Sequence, residues 1–192
     1  MDIVQDKTAL RREMLARRRS MPEGEVRVRS LAVLRSLWAS GLLLHRRTVA
    51  LYAAAGGEVL TGPLFHQLRD DGVQALLPRV RGRGPEIDFY PVEDFGRLEL
   101  SRFGIPEPPA EGATVDPAEF DLVVVPGVAF DRSRGRLGYG MGCYDRVLAR
   151  LRPEAPAVGI GYDWQLVERV PQGEHDVPLT AVVTESEIVS GP

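Results

Sequence analysis

A chain of 192 residues, 44% of them hydrophobic and with a formal net charge of -3, is long enough to bury one core. It is too acidic for a general nucleic-acid binder, because backbone phosphates require a basic excess on some face. Its one cysteine, Cys143, excludes an intrachain disulfide and a thiolate metal cage. No apolar run approaches the roughly 20 residues that span a bilayer and no signal-peptide pattern opens the chain, so a soluble, cytoplasmic, single domain over residues 1–192 is expected, without membrane or nucleic-acid partner.

Residues 7–19 contain no proline or glycine and carry Ala9, Leu10, Met14 and Leu15 before Pro22, the pattern of a short amphipathic helix on which Lys7 and Arg11 share a face. Of the 24 basic residues, Lys7 is the one lysine. Arginine does not freely replace a compact ammonium that must reach a phosphate oxygen, which marks Lys7 for attention. A second helix is expected over residues 25–39, with Val28, Leu31, Leu34 and Leu37 turned inward and Gly41 beyond its end. The stretch 48–53 is β-branched and apolar, a buried strand leading into Gly56-Gly57-Glu58; Thr61 is placed to cap a helix over 63–68, and a strand follows at 73–77.

Residues 79–85 read as a polar turn and 87–90 as a short strand. Phe103-Gly-Ile-Pro-Glu-Pro-Pro reads as a rigid connection, since proline removes donors and helical options. Leu122 to Val125 is an unbroken apolar run, as in a sheet covered on both faces, and residues 157–160 and 181–184 resemble it. Strands alternating with helices imply a three-layer α/β/α fold with a mostly parallel sheet, its ligand beyond the carboxyl ends of the strands.

The segment 126–146 carries the chemistry. Gly135, Gly138, Gly140 and Gly142 lie between that apolar run and a helix expected over 143–152. Glycines there let the backbone turn and present N–H groups, and a helix start adds positive potential, which suits a polyphosphate. The loop is neither the Gly-Lys-Ser/Thr phosphate loop nor the dinucleotide fingerprint, whose third glycine is missing at position 143. A tight strand-to-helix connection is the alternative. Arg136 is placed to clamp a phosphate or to make a surface ion pair. Asp145 suits the helix start with or without a metal, and Asp176 would complete a magnesium site if the fold brought the two together. Glu58, at the end of a strand, faces substrate or solvent; His175 reads as an orienting or structural group, and Cys143, with no histidine near it in sequence, as a packed thiol.

These motifs resemble the 5-formyltetrahydrofolate cyclo-ligase family over nearly the whole chain. The residues are Lys7-Thr-Ala-Leu-Arg11 with the cluster at Arg17, Arg18 and Arg19, Gly57-Glu58-Val59, Gly104-Ile-Pro-Glu-Pro108, and the signature from Phe130 to Arg146 with one extra residue between Asp131 and Gly135. The tail Gln165-Leu-Val, His175-Asp-Val-Pro-Leu and Val183-Thr-Glu185 completes them. The resemblance implies a fold shared with sugar-phosphate isomerases and CoA transferases, and an ATP-dependent closure of 5-formyltetrahydrofolate to 5,10-methenyltetrahydrofolate with release of ADP and phosphate. It implies that Lys7 and Arg136 act in catalysis. Lys7, Arg11, Arg136, Leu137, Gly138, Tyr139, Gly140, Met141, Gly142, Cys143 and Tyr144 would hold ATP. Asp145 and Asp176 would hold Mg2+. Glu58, Phe103, Tyr139, Gly140, Met141, Gly142 and Cys143 would face the folate. A monomer is expected. Cys143 stands where the family usually has tyrosine, and Met141 where members have lysine or glycine. The rival readings are a nucleotide-binding paralogue with another substrate, and a non-catalytic module whose arginine-rich first helix contacts an acidic partner.

Overall fold

In the computed structural model, which describes residues 3–173 and 176–191, the elements are α1 (Ile3–Arg19), α2 (Glu23–Ala39), β1 (Thr48–Ala50), α3 (Gly62–Asp70), β2 (Gln74–Val80), β3 (Ile87–Pro91), β4 (Glu99–Leu100), β5 (Pro106–Glu107), β6 (Leu122–Val125), β7 (Ala129–Asp131), β8 (Arg136–Leu137), α4 (Cys143–Leu148), β9 (Ala157–Ile160), β10 (Leu166–Val167), β11 (Ala181–Val183) and β12 (Ile188–Ser190). The strand order in the main sheet is β12-β11-β9-β6-β1-β2-β3. β11, β9, β6, β1 and β2 run parallel, and the edge strands β3 and β12 pair antiparallel.

The apolar run of β6 explains the layering. Successive side chains of a strand point to opposite faces, so a strand without polar residues must be covered twice. Leu122 and Val124 join α2 and α3 residues such as Leu34, Leu37, Leu64 and Phe65 on one face. Val123 and Val125 join Phe89, Phe120, Phe130 and Val147 and Leu148 of α4 on the other. All four β6 side chains are fully buried, and each contributes about 2 kcal/mol of transfer free energy. The result is the expected three-layer α/β architecture.

A smaller sheet, β10-β7-β8, carries α1. Met14 enters a cluster with Val128, Ala129, Leu137 and Val170. Asp131 at the end of β7 is buried and accepts hydrogen bonds from the N–H groups of Ser133, Gly135 and Val170 and from the Ser133 hydroxyl. Burial pushes its pKa up, but these donors outweigh that and hold it below the ordinary aspartate value.

Several expectations need correction. On α2, Val26, Ser30 and Val33 are buried with Leu34 and Leu37, whereas Val28 and Leu31 face outward. Ser30 is held in the core by accepting from the Leu60 N–H at 2.9 Å, so a polar residue occupies the stripe position that periodicity would give to an apolar one. Thr61 does not cap α3; its hydroxyl donates to the Tyr52 carbonyl. The first helix begins at Ile3, β1 stops at Ala50, and α4 ends at Leu148. Arg79 lies within β2 because pairing with β3 continues to Val80 and Ile87. The rigid connection contributes β5, which pairs antiparallel with β4 just before it in a short hairpin.

Candidate active site

The sheet leaves a cleft of about 690 Å³. Around it meet the first turns of α1, the Gly56–Glu58 corner after β1, the outer strands β2 and β3, the β4–β5 hairpin, the glycine loop and Asp176. Every site residue expected from the sequence lines it: Lys7, Arg11, Glu58, Phe103, all of residues 136–144, Asp145 and Asp176. His175 lies outside the described residues.

Helical spacing explains the contribution of α1. Lys7, Arg11, Met14 and Arg18 follow at intervals of four, three and four, so they form one stripe. Met14 is the apolar foot of that stripe, Lys7 and Arg11 line the cleft, and Arg18 is buried behind its wall. Lys7 is ion-paired with Asp176, which also accepts from the Gly173 N–H at 2.7 Å. Burial raises the pKa of Asp176, but Lys7, the Gly173 N–H and the charge of Arg136 bring it below the ordinary value. Arg11 donates from Nε to the Gly138 carbonyl at 2.9 Å.

Arg18 is buried. It donates to the carbonyls of Gly56 at 3.0 Å and Gly127 at 3.3 Å and to the Tyr139 hydroxyl, and its Nη1 is 3.7 Å from Glu58 Oε1. Gly57 permits this: its φ is +78°, and a Cβ there would stand 3.1 Å from the Arg18 carbonyl oxygen. Glu58 in turn accepts from the Ala55 N–H and the Tyr139 hydroxyl, both at 3.1 Å. Burial raises the Glu58 pKa against the opposing pull of Arg18. Burial and the Glu58 charge push the Tyr139 phenol up to about 12, so it remains a donor.

The glycine loop turns through positive φ at Gly140 (+103°) and Gly142 (+69°). Arg136, largely buried, donates from Nη2 to Asp145 Oδ1 at 2.9 Å and lies over the Tyr144 ring, 5.8 Å from its centroid. Among the described residues the Arg136 Nε and the Tyr144 hydroxyl are buried without a partner. Leu137 packs its side chain into the α1 cluster, so it offers the cleft little beyond its backbone. Cys143 is half-buried and burial raises its thiol pKa, which makes it a packed thiol rather than an activated nucleophile.

Against this geometry the comparisons with known proteins are specific. The model of the 5-formyltetrahydrofolate cyclo-ligase family matches residues 3–185. The chain belongs to that family. A 5-formyltetrahydrofolate cyclo-ligase of Mycolicibacterium smegmatis is 36% identical over 183 residues, 93% of either chain. One from Escherichia coli K12 is 37% identical over 147 residues, 73% of this chain and 79% of the relative. Among solved structures, a 5,10-methenyltetrahydrofolate synthetase of Aquifex aeolicus superposes with a TM-score of 0.83 at 38% identity, covering 96% of this chain and 92% of that one. One from Mycoplasma pneumoniae gives 0.77 at 27% identity, covering 94% and 99%.

Lys7, Arg11 and Arg136 make one end of the cleft rich in cations. Among the described residues no group of three His, Cys, Asp or Glu side chains gathers as a metal cage. The donor set nevertheless suits magnesium, which takes one or two carboxylates and fills its remaining positions with water and phosphate oxygens. Arg136 bonds Asp145 and its charge lowers the Asp176 pKa, and both carboxylates line the same cleft. Sequence reasoning passed over Arg18 and Glu107. The position of Arg18 on the Lys7 stripe was legible from helical spacing but its partner was not; Glu107 was hidden in a proline-rich motif that reads as a turn.

Proposed function

We infer that this cleft cyclises 5-formyltetrahydrofolate to 5,10-methenyltetrahydrofolate with conversion of ATP to ADP and phosphate. The observation that carries the reading is the meeting of Lys7 and Arg11 from the chain's start, the loop 136–144, and Asp176 from near its end around one cleft with Glu58 in its wall.

In this reading the formyl oxygen takes the γ-phosphoryl group, N10 attacks the activated carbon to close a five-membered ring, and phosphate leaves from that carbon. The chain's task is alignment and neutralisation of charge on the transferring group. Lys7 supplies a point charge to a phosphate oxygen, exchanging Asp176 for the triphosphate. Arg11 ties α1 to the loop at Gly138 while keeping its terminal nitrogens toward the cleft, and the N–H groups of residues 138–142 face the phosphates. Arg136, braced by Asp145, meets the group in transfer. Asp145 and Asp176 would hold Mg2+, which would offset phosphate charge. Glu58, whose pKa is raised by burial, is suited to receive the proton that N10 must lose; Phe103, Met141 and Cys143 form the folate wall. The same reading makes the protein a cytoplasmic monomer. No helix among the described residues is long and apolar enough to cross a membrane.

The deciding measurement is formation of the methenyl chromophore from 5-formyltetrahydrofolate with ATP and magnesium present, and its absence when either is omitted. ATP binding without methenyl formation would favour a paralogue acting on another substrate.

A further inference from the structure

Four carboxylates line the cleft: Glu58, Glu107, Asp145 and Asp176. Among the described residues three of them hold a cation, with Glu58 near Arg18, Asp145 on Arg136 and Asp176 on Lys7. Glu107 holds none. It is only 5% exposed, and the hydrogen bond it makes is a long one, accepted by Oε1 from the Val80 N–H at 3.4 Å. Its place in the wall of a ligand cleft, without a cation of its own, points to a hydrogen-bond donor that arrives with the ligand.

The surroundings of Glu107 say what shape that ligand has. Val80 and Ile87 are paired across β2 and β3, and Pro78, two residues from Val80, is on the same face. Ile105 stands two residues before Glu107, and Phe103 is half-exposed at the hairpin end with the Arg102 guanidinium 4.6 Å from its ring centroid. All five apolar residues line the cleft. They make this end of the cleft apolar around one carboxylate, which suits a flat heterocycle with hydrogen-bond donors on one edge. They also come from the outer strands and the hairpin, whereas the phosphate-directed cations come from α1 and β8.

We propose that Glu107 is the specificity-determining residue for the pterin end of the folate, its two carboxylate oxygens accepting from N3–H and the 2-amino group. This rests on the cyclo-ligase reading above. An ionised carboxylate only accepts hydrogen bonds. It therefore matches an edge with two adjacent donors, which the pterin has, and repels the corresponding edge of adenine, where a donor stands beside the N1 lone pair. Two parallel bonds to an anion are strong and fix orientation, so Glu107 would set the angle at which N5 and N10 meet the phosphates.

The test is Glu107→Gln in the full chain, with steady-state kinetics for each substrate and direct binding of 5-formyltetrahydrofolate without ATP. The amide keeps the shape but turns one acceptor into a donor. The folate KM and Kd should rise about 10- to 100-fold, with the ATP KM unchanged and the melting temperature unchanged or higher. A 2-methyl analogue lacking the 2-amino group should bind both proteins with similar, weak affinity. An unchanged folate KM and Kd would overturn the assignment, and so would a rise confined to the ATP KM, which would put adenine against Glu107. A wild-type protein that makes no methenyl product while binding folate in a Glu107-dependent way would retire the cyclo-ligase reading and leave the pterin assignment standing.

Discussion

α1 and α2 are both 17 residues long, and they are attached to the protein by opposite means. α2 buries Val26, Ser30, Val33, Leu34 and Leu37 against the main sheet, so hydrophobic burial holds it. Among the described residues α1 fully buries Met14 and Arg18, with Leu10 and Leu15 partly buried against the Met14 cluster, and a larger share of its attachment is ionic or polar: Lys7 to Asp176, Arg11 to Gly138, Arg18 to Gly56, Gly127 and Tyr139. A helix attached in this way is poorly secured by its own burial and well placed to present cations. The contrast separates residues kept for the fold from residues kept for the ligand.

The sharpest way to break that contrast is Lys7→Ala. Turnover should fall about 10²- to 10³-fold, the usual cost of one preorganised electrostatic contact, with the melting temperature nearly unchanged; normal steady-state kinetics would take the stripe out of catalysis. Arg18→Met should cost both fold and function. Removing one partner of a buried pair costs about 3 kcal/mol in denaturant melts. Because Arg18 lowers the Glu58 pKa, its loss should also move the acid limb of the kcat/KM profile to higher pH. A profile that stays in place would separate Glu58 from the proton step.

Leu34→Ala on α2 should lower stability by about 3 kcal/mol through the cavity it leaves, while kcat/KM at a permissive temperature stays at the wild-type value. Asp131, under α1, tests the seat of the helix by pH. Its folded pKa lies below the ordinary value, so its contribution is complete above the unfolded pKa of about 3.9 and is lost as pH falls through the folded one. Asp131→Asn should remove about 1–2 kcal/mol near neutrality and flatten the acid decline in melting temperature. The smallest effect belongs to Val28→Ser on the outer face of α2, within about 0.5 kcal/mol of wild type.

The polarity pattern was legible where burial is uniform. Leu122–Val125 and Ala157–Ile160 appear as strands at the residues expected, because an unbroken apolar run has only a doubly covered strand to occupy. It misled on α2, where Ser30 takes a core position by bonding to Leu60 and Val28 does not. The cleft residues were legible from motifs, since glycines at positive φ and a lone lysine are visible in one dimension. The role of Arg18 was not: it becomes a site residue by lying 3.7 Å from Glu58, a neighbour 40 positions along the chain by their residue numbers.

The amino-acid sequence by itself determined which residues turn sharply, which runs must be covered, and which cations share a helix face, because those follow from backbone sterics and helical or strand periodicity. Tertiary structure alone decided the pairings. Lys7 meets Asp176 across 169 positions, and among the described residues Glu107 becomes the cleft carboxylate without a cation because the hairpin folds it against Val80 and into the cleft. Charge complementarity acts through space, and no spacing along a chain records which partner a fold will bring within reach.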